Sequence, residues 1–535
     1  MNVVAVMLIS CAKTPSLAMP KATSPQAALP QTADPWFGQG MTALETALQR
    51  PTPGTRARNV IVFIGDGMDI STITAARILA GQQRGASGEE NALSFETFPY
   101  TGLAKTYNTN QQTPDSAGTA TAMLAGVKTK AGVIGLTDRA SRGRCATAAA
   151  SEAMSIVDLA EEAGLATGIV TTTRITHATP AAAYAKTPDR GWEADSKIPA
   201  AERSCEDIAS QLVNYPHGDG IDVLFGGGRR YFLPADVADP EHADEKGRRL
   251  DGKNLVTEWL AAGTTRRRFV WNRAQFDALE PASQSQVLGL FEYSHMRYEA
   301  DRRADTAGEP SLRDMTEKAI RMLATNERGY FLLVEGGRID HGHHDGNAYR
   351  ALTDTIAFAE AVGTASEMTD NQDTLIVVTA DHGHTMRIVG YPTRGNPILG
   401  LVVENDRQGG PMRAPTLDIN GLPYTTIAYA NGPGFHGASD EQPAGPKRWP
   451  HDPQTVQPLI GGRANLARVD TADPDYLQEA GIPTFSTSTD GDRDLVETHS
   501  AGDVTIYATG PGAHLLSGVH EQNYIFHVMR YAQGL

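Results

Sequence analysis

The sequence predicts an α/β fold with a mostly parallel central sheet flanked by helices on both faces. Short, continuous apolar runs recur along the chain, and several end in glycines followed by carboxylate or imidazole side chains. Segments with helical periodicity separate these runs, which is typical of alternating strands and crossover helices. Strands buried on both faces lose their polar alternation, and polar residues at their carboxyl ends line the crevice of an open sheet.

Residues 330–344 show this pattern most clearly. An apolar run of four residues ends at Glu335 and two glycines. Asp340 and His344 follow, four residues apart, so on a helix their side chains lie on one face and could share a metal ion. One Glu, one Asp and three His lie within ten residues after the strand, which favours metal ligands over a solvated loop.

Five other apolar runs predict strands at residues 59–64, 166–172, 223–225, 375–379 and 503–508. Asp66 follows the first run, Asp381-His382 follows the fourth, and His499 precedes the last. Periodicity and capping signals predict helices over 35–49, from about Ser71, from Ser116, over 152–163 and over 521–533.

Composition divides the chain into four parts. Residues 1–34 join a short apolar segment to a Pro/Ala/Thr-rich tract, and 35–390 hold most of the periodic segments. Residues 391–498 are rich in Gly, Pro and Asp, whereas 499–535 return to strand and helix patterns. We interpret 35–390 and 499–535 as one catalytic core, 391–498 as an inserted surface subdomain, and 234–313 as a charged, irregular insertion within the core.

Ser116 begins an Ala-rich segment that follows Pro114-Asp115, so the predicted helix carries this serine in its first turn. Free N–H groups and the positive end of the helix dipole make such a position suitable for an anion or an attacking alkoxide. An ordinary N-cap serine would give the same pattern, and the segment by itself leaves both interpretations open.

The overall charge argues against a nucleic-acid-binding protein. The 535 residues include 47 Lys and Arg against 63 Asp and Glu, a formal net charge of −16. A protein of this charge that handles phosphate must supply positive charge locally, from metal ions or arginines. No apolar run reaches the roughly 18 residues that a membrane span requires.

The first residues suggest export. The apolar segment 3–11 ends in Leu8-Ile9-Ser10-Cys11, which resembles a bacterial lipobox with Cys11 as the lipid anchor. The segment is short and no Lys or Arg precedes it, so a simple secretory signal and a disordered cytosolic tail remain alternatives. The first two interpretations predict a periplasmic or cell-surface protein.

Two other cysteines are present, Cys145 and Cys205. An even pair in an exported chain favours one disulfide, with two unpaired buried thiols as the alternative.

The residues at the predicted strand ends combine carboxylates and imidazoles without cysteine. Such ligands suit zinc in an open, catalytic site. Two ions about 3.5 to 4 Å apart form a clamp for in-line displacement at phosphorus. A metal ion can also activate a serine hydroxyl without a histidine base, and an arginine can grip phosphate oxygens through two N–H groups.

Five motifs resemble those of alkaline phosphatases, in the same order and between about residues 55 and 530: GDGM at 65–68, PDSAGTATA at 114–122, VEGGRIDHGHH at 334–344, TADHGH at 379–384 and ETHSAGDV at 497–504. The linking segments resemble the animal branch of that family most closely. The resemblance implies that Ser116 is transiently phosphorylated and that Arg190 grips the phosphate. It also places Asp115 and His177 among the substrate-binding residues.

The resemblance further implies three metal sites. Their expected ligands are Asp340, His344 and His499 for one zinc; Asp66, Asp381, His382 and Ser116 for a second; and Asp66, Thr179 and Glu335 for magnesium. His341 and His343 lie off the helix face shared by Asp340 and His344, so we expect them to support the site without binding the ion.

Animal-type members also bind calcium, and Glu241, the carbonyl of Phe291 and Glu292 fall on matching motifs. In animal members the fourth calcium ligand is an aspartate. This chain has two additional residues in the corresponding loop and offers Glu309 there. The alternative is a solvated acidic loop that binds no calcium. Cys145 and Cys205 match positions that are paired in animal members. The resemblance also implies a homodimer. In animal members the counterpart of 391–498 is shorter and forms a crown over the dimer.

These observations predict an exported enzyme that hydrolyses phosphate monoesters through a phosphoserine at alkaline pH. A phosphodiesterase or sulfate ester hydrolase of the same superfamily is the first alternative, although those relatives resemble a threonine or modified-cysteine arrangement. An inactive surface protein that binds phosphate and metal is the second, and would be expected to lack the nucleophile or a ligand.

Overall fold

A ten-stranded sheet runs through the centre of the protein. The computed structural model describes residues 29–48, 56–262, 267–281, 286–417, 423–435, 447–448, 473–482, 484–487 and 493–535. Its strands are β1 Asn59–Gly65, β2 Tyr100–Lys105, β3 Ala166–Arg174, β4 Val223–Gly227, β5 Arg267–Val270, β6 Gln286–Leu290, β7 Tyr330–Gly336, β8 Thr374–Ala380, β9 Gly383–His384, β10 Met386–Ile388, β11 Ile427–Tyr429, β12 Lys447–Arg448, β13 Tyr476–Leu477, β14 Glu479–Ala480, β15 Phe485–Thr487, β16 Arg493–Leu495, β17 His499–Ser500, β18 Val504–Thr509 and β19 Gly518–Glu521.

The strand order in the central sheet is β19-β2-β18-β8-β1-β7-β3-β4-β6-β5. Neighbouring strands are parallel except β18, which runs antiparallel to both β2 and β8. The predicted mostly parallel sheet is therefore confirmed.

The central strands are apolar because both of their faces are covered. Every residue of β7 and β8 is buried, as is all of β1 after its first residue. Gly65 at the end of β1 pairs with Gly336 of β7 and with Ala380 of β8. The three strands thus end at one level, and the residues that follow them meet at one edge of the sheet.

The helices are α1 Pro35–Leu48, α2 Ile70–Gln83, α3 Ser116–Ala125, α4 Ile156–Glu162, α5 Ala178–Ala181, α6 Ile208–Val213, α7 Leu255–Ala262, α8 Arg273–Asp277, α9 Leu312–Leu323, α10 Arg338–His344, α11 Ala348–Met368 and α12 Tyr524–Gln533. Helices α2, α9 and α11 pack together over the central strands, and α3, α4 and α12 form a second group against the same strands. The sheet is therefore covered on both faces, as predicted. None of the described helices is both long and apolar enough to cross a membrane.

The structure differs from the prediction in three places. Residues 234–313 are not irregular throughout, because they contain α7, α8 and two strands, β5 and β6, that form one edge of the central sheet. The helix predicted over 152–163 begins only at Ile156, because Ser155 caps it by accepting a hydrogen bond from the N–H of Asp158. Helices α9 and α11 and strands β2 and β19 were not predicted.

The described parts of 391–498 form small sheets outside the central one. β11 pairs with β10 and with β14, while β12 pairs with β13 and β15 with β16. Cys145 and Cys205 form the expected disulfide, with their Cα atoms 5.6 Å apart. Cys11 and the predicted export segment lie outside the described residues.

Candidate active site

A first cluster of ligand-type side chains surrounds Asp340 on α10. His344, one helical turn later, places Nε2 3.3 Å from Asp340 Oδ1, and His499 Nε2 lies at the same distance. His384 Nε2 bonds the same oxygen at 2.8 Å. The predicted trio of Asp340, His344 and His499 is therefore brought together, with His384 as an additional member.

The backbone holds the two outer imidazoles by their other nitrogens. Nδ1 of His344 donates to the carbonyl of Glu497 at 2.6 Å, and Nδ1 of His499 donates to that of Pro114 at 2.8 Å. Both rings therefore turn Nε2 towards the cluster, which is the nitrogen that a neutral imidazole in this tautomer would offer to a metal ion.

A second cluster joins Asp66, Asp381 and His382, one ligand atom of each lying within 4.8 Å of the others. Asp66 follows β1, and the other two follow β8. Oδ1 of Asp381 accepts hydrogen bonds from the main-chain N–H groups of Gly67 and His382 at 2.9 and 2.8 Å. At Gly67, φ is +72° and an added Cβ would lie 2.4 Å from the His384 ring, so only glycine fits between the two clusters.

A third group shares Asp66 with the second cluster. Asp66, Glu335 and His177 each offer one ligand atom within 4.8 Å of the others. Glu335 accepts hydrogen bonds from the hydroxyls of Thr171 and Thr173 through Oε2, while its Oε1 has no partner. The hydroxyl of Thr179, predicted for this site, is likewise buried and unpartnered.

The buried carboxylates have the chemistry of a cation site. Both oxygens of Asp66, Oε1 of Glu335 and Nδ1 of His382 are buried without a hydrogen-bond partner. Burial, followed by the charge of Asp381, raises the pKa of Asp66 well above its usual value. Burial also raises the pKa of Glu335 to about 7. Carboxylates this deeply buried require compensating positive charge, so the residues fit divalent cations.

In the first cluster the pKa of the carboxylate is lowered, whereas the pKa values of Asp66 and Glu335 are raised. Burial by itself would raise the pKa of Asp340, but the surrounding imidazoles, His344 before His384, hold it well below its usual value. Asp340 therefore remains ionised at neutral pH and is ready to bind a metal ion.

Ser116 is the first residue of α3, and only 2% of its surface is exposed. The N-cap is Asp115, whose carboxylate accepts a hydrogen bond from the N–H of Gly118, so Ser116 is not the capping residue. Its hydroxyl lies 3.3 Å from Nε2 of His382. The alternative of an ordinary N-cap serine is wrong, and the hydroxyl faces the second cluster.

Arg190 contacts Asp115, the residue that precedes Ser116. Its Nη1 is 3.3 Å from Oδ2 of Asp115, and its Nη2 is 3.0 Å from Nε2 of His177. The same Asp115 oxygen accepts the N–H of Gly132 at 2.8 Å, which fixes the carboxylate. Both predicted neighbours of the substrate, Asp115 and His177, therefore hold the guanidinium in place.

His384 and Glu497 also belong to the site, although no metal or substrate role was predicted for them. His384 lies between two carboxylates, with Nε2 on Asp340 and Nδ1 on Glu497 at 2.5 Å. The short β9–β17 ladder pairs His384 with His499. A signal was present in the sequence, because His384 lies two residues beyond His382 in an extended segment and therefore points to the same side.

Both ring nitrogens of His343 are engaged outside the clusters, in keeping with its expected supporting role. Its Nε2 contacts the hydroxyl of Thr72 at 3.0 Å, its Nδ1 contacts that of Tyr429 at 2.8 Å, and its ring stacks on His384. Thr72 in turn bonds Asp69, which caps α2 and explains the aspartate after the GDGM motif.

We expect His343→Asn to lower the metal content of the protein less than His344→Asn does. His344 contributes a ligand atom to the first cluster, whereas His343 only supports His384 by stacking. Loss of a supporting contact costs about 10- to 100-fold in metal affinity, less than loss of a ligand. Metal analysis of both variants after dialysis against a weak chelator gives the order, and the reverse order would contradict these roles.

The predicted calcium ligands are only partly brought together. Carboxylates of Glu241 and Glu292 group with Asp305, each offering an oxygen within 4.8 Å of the others. Glu309 is not one of these three residues, but it lies near them: burial and then the charges of Glu292 and Asp305 raise its pKa, and its carboxylate accepts the main-chain N–H of Arg297 at 3.0 Å, so its role as a calcium ligand stays a prediction. Arg229 forms an ion pair with Glu241 and Arg297 with Glu292, so cationic side chains already contact the group.

The chain matches the family described as alkaline phosphatase over residues 57–535. It is 46% identical over 508 residues to the tissue-nonspecific alkaline phosphatase of Gallus gallus, covering 93% of this chain and 88% of that protein. The corresponding isozyme of Homo sapiens is 44% identical over 507 residues with the same coverage. The crystal structure of Thermus thermophilus alkaline phosphatase aligns with a TM-score of 0.60 and 25% identity, covering 93% of this chain and 95% of the other.

Proposed function

Because the chain belongs to the alkaline phosphatase family, we propose that it hydrolyses phosphate monoesters through a phosphoserine formed on Ser116. The observation that carries this proposal is the position of the Ser116 hydroxyl. It lies at the N-terminus of a buried helix, 3.3 Å from Nε2 of His382, and the same nitrogen is 3.4 Å from the unpartnered Oδ1 of Asp66. A helix N-terminus favours the negative charge that collects there.

The carboxylate and imidazole groups of the site support three cation sites. We assign one zinc to Asp340, His344 and His499, and a second to Asp66, Asp381, His382 and Ser116. The oxygen-rich group of Asp66, Glu335 and Thr179 suits magnesium, with His177 nearby. When bound, such ions polarise phosphoryl oxygens and lower the pKa of coordinated water and hydroxyl groups.

The protein's own residues then perform two displacements. Oγ of Ser116 gives its proton to solvent and attacks phosphorus in line, the ester P–O bond breaks, and the alcohol leaves with a proton from solvent. Water then attacks the phosphorus of the phosphoserine, the bond from phosphorus to Oγ breaks, inorganic phosphate leaves, and Oγ takes back a proton from the attacking water. Arg190, held by Asp115 and His177, grips two phosphate oxygens through both steps.

Three nitrophenyl substrates separate this function from its rivals. We expect rapid hydrolysis of 4-nitrophenyl phosphate, and much slower hydrolysis of bis(4-nitrophenyl) phosphate and 4-nitrophenyl sulfate. Preference for the diester or the sulfate would favour the superfamily alternatives. No hydrolysis of any of them after zinc and magnesium have been added would favour an inactive binding protein.

Arg190→Ala should weaken competitive inhibition by inorganic phosphate by about 10- to 100-fold. This range corresponds to one charge-assisted hydrogen-bonded contact of roughly 1.5 to 3 kcal/mol. Arg142→Ala is the matched control, because Arg142 is half exposed and, among the residues that the structure describes, forms its ion pair with Asp189 at the surface. Unchanged phosphate inhibition in Arg190→Ala would remove this residue from the substrate site.

We also infer that the enzyme is exported, either as a lipoprotein anchored at Cys11 or by a cleaved signal, and that it forms a homodimer. The Cys145–Cys205 disulfide supports an oxidising compartment. Calcium is a further candidate for the group of Glu241, Glu292 and Asp305. Metal analysis, light scattering and labelling with a radioactive fatty acid test these points separately.

A further inference from the structure

Glu497 is a buried carboxylate that lies outside the three cation groups, yet both of its oxygens are engaged beside the first cluster. None of its surface is exposed. Oε2 lies 2.5 Å from Nδ1 of His384, and Oε1 accepts the main-chain N–H and the hydroxyl of Thr385, each at 2.5 Å. The backbone of Gly432 passes so close that an added Cβ would lie 2.9 Å from the Cβ of Glu497. The carboxylate is therefore enclosed, and its contacts fix its orientation.

His384 connects this carboxylate to Asp340. Its Nε2 lies 2.8 Å from Oδ1 of Asp340, so both ring nitrogens face carboxylate oxygens. Carboxylates only accept, and a ring nitrogen that donates an N–H has no lone pair left for a cation. The face of the ring stacks on His343, with the ring centroids 4.7 Å apart. His384 therefore holds Asp340 in place and does not itself bind the ion.

Three ligand atoms of the first cluster remain, which are Oδ1 of Asp340 and Nε2 of His344 and of His499. Oδ1 lies 3.3 Å from each nitrogen, and the two nitrogens are 3.1 Å apart. A tetrahedral zinc ion with bonds of about 2.0 to 2.1 Å separates its ligand atoms by about 3.3 Å. The spacing of the three atoms therefore fits zinc, and it depends on where His384 holds Oδ1.

The main chain of Glu497 fixes a second member of the cluster. Its N–H donates to the carbonyl of His344 at 2.9 Å, and its carbonyl accepts a hydrogen bond from Nδ1 of that ring at 2.6 Å. His499 follows two residues later and pairs with His384 in the β9–β17 ladder. Glu497 therefore contacts α10 through its main chain and β9 through its side chain, at the point where the inserted segment ends.

We propose that Glu497 is a positioning residue for the first zinc site, and that its side chain acts through His384 to fix the zinc-binding oxygen of Asp340. The inference rests on the proposed function, which assigns zinc to this cluster. It also gives residues 391–498 a part in the site, because the end of the inserted segment supports the ligands. Loss of a supporting contact of this kind lowers metal affinity by about 10- to 100-fold.

Zinc binding to the purified protein, measured in chelator buffers of graded free zinc, tests this role without turnover. Glu497→Ala removes the side-chain contacts and keeps both main-chain bonds to His344. We expect this variant to bind one of its two zinc ions about 10- to 100-fold more weakly and the other as tightly as the wild-type protein does. Glu404→Ala is the control, because Glu404 belongs to the same inserted segment and lies outside the cation groups, and it should leave both affinities unchanged.

Glu497→Gln separates position from charge. The amide oxygen can still accept from Thr385, and the amide nitrogen can donate to Nδ1 of His384, whose other tautomer keeps an N–H for Asp340. We therefore expect both zinc affinities of this variant to stay within about threefold of the wild-type values. Equal losses in Glu497→Gln and Glu497→Ala would overturn the positioning role, because the amide preserves the contacts.

A double-mutant cycle tests whether Glu497 acts through His384. Glu497→Ala combined with His384→Ala should weaken zinc binding no more than the more severe of the two single changes does, whereas fully additive losses would overturn this route. The same zinc titration in an Asp381→Asn background, which disables the second cluster, identifies the ion that is affected. Glu497→Ala should weaken the one zinc that remains there, and an unchanged affinity would contradict the proposal.

The remaining outcomes are also decisive. Unchanged zinc affinities in Glu497→Ala, or equal weakening of both ions, would overturn the proposal. A wild-type protein that binds fewer than two zinc ions would refute the cation assignment and this role together. One that binds two zinc ions and fails to hydrolyse 4-nitrophenyl phosphate would refute the proposed function alone. Should Glu497→Ala fail to fold, Glu497→Asp, whose carboxylate is one methylene short of its partners, should show the same selective loss.

Discussion

Ser116→Ala is expected to lower the turnover of 4-nitrophenyl phosphate by on the order of 10⁴-fold or more, the usual cost of removing a catalytic nucleophile. The hydroxyl is the one group that can form the covalent intermediate, whereas the neighbouring carboxylates and imidazoles are left intact. Metal content should therefore remain close to that of the wild-type protein. Acid quenching with radioactive phosphate should label the wild-type serine and leave the variant unlabelled.

Ser94→Ala provides the control for this experiment, because Ser94 is half buried and its hydroxyl donates to the carbonyl of Ala359, away from the site. That variant should retain its turnover and its phosphoserine. Substantial turnover in Ser116→Ala at full metal content would mean that water attacks the substrate directly, and the proposed two-step mechanism would have to be abandoned.

Asp340→Asn should remove about one zinc per chain and lower turnover by on the order of 10³-fold, as expected when several kcal/mol of transition-state stabilisation are lost. Asp340 holds His344, His384 and His499 around one carboxylate oxygen. Without the negative charge, these imidazoles lose their common partner, and the first cluster loses its anionic ligand.

Asp345→Asn is a matched control on the same segment. Asp345 accepts the hydroxyl of Tyr298 at 2.6 Å and lies outside the cation clusters. We expect it to keep its metals and most of its activity. Normal zinc content in Asp340→Asn would show that the three histidines suffice, and would contradict the assigned role of the carboxylate.

The sequence was most informative where the strands are buried on both faces. β1, β7 and β8 could be recognised because their apolar runs are continuous, and their ends then located Asp66, Glu335 and Asp381. β2 contains a glycine and ends in lysine, and β19 is half exposed, so neither shows a strong pattern. Such strands are defined by pairing partners distant in sequence.

The side chains that were not predicted escaped for the same reason, because their neighbours in the fold are distant in sequence. The relation of His384 to Asp340 depends on how two strand ends meet, and that of Asp305 to Glu241 depends on the path of a loop. The rings of His177, His295 and His341 likewise meet from three segments that are distant in sequence. Spacing within one helix predicted Asp340 and His344 correctly, because there the geometry is local.

The ladder between β9 and β17 has a consequence for how this chain can change in length. It fixes both ends of the segment that separates His384 from His499, so the second imidazole reaches its place only after that long loop has closed. The entropy of loop closure rises with the logarithm of length, by about 0.6 kcal/mol for each doubling. Residues could therefore be added between the small strands of this segment at small energetic cost, provided that the paired ends stay in register and that Tyr429 and Glu497 keep their contacts with His343 and His384.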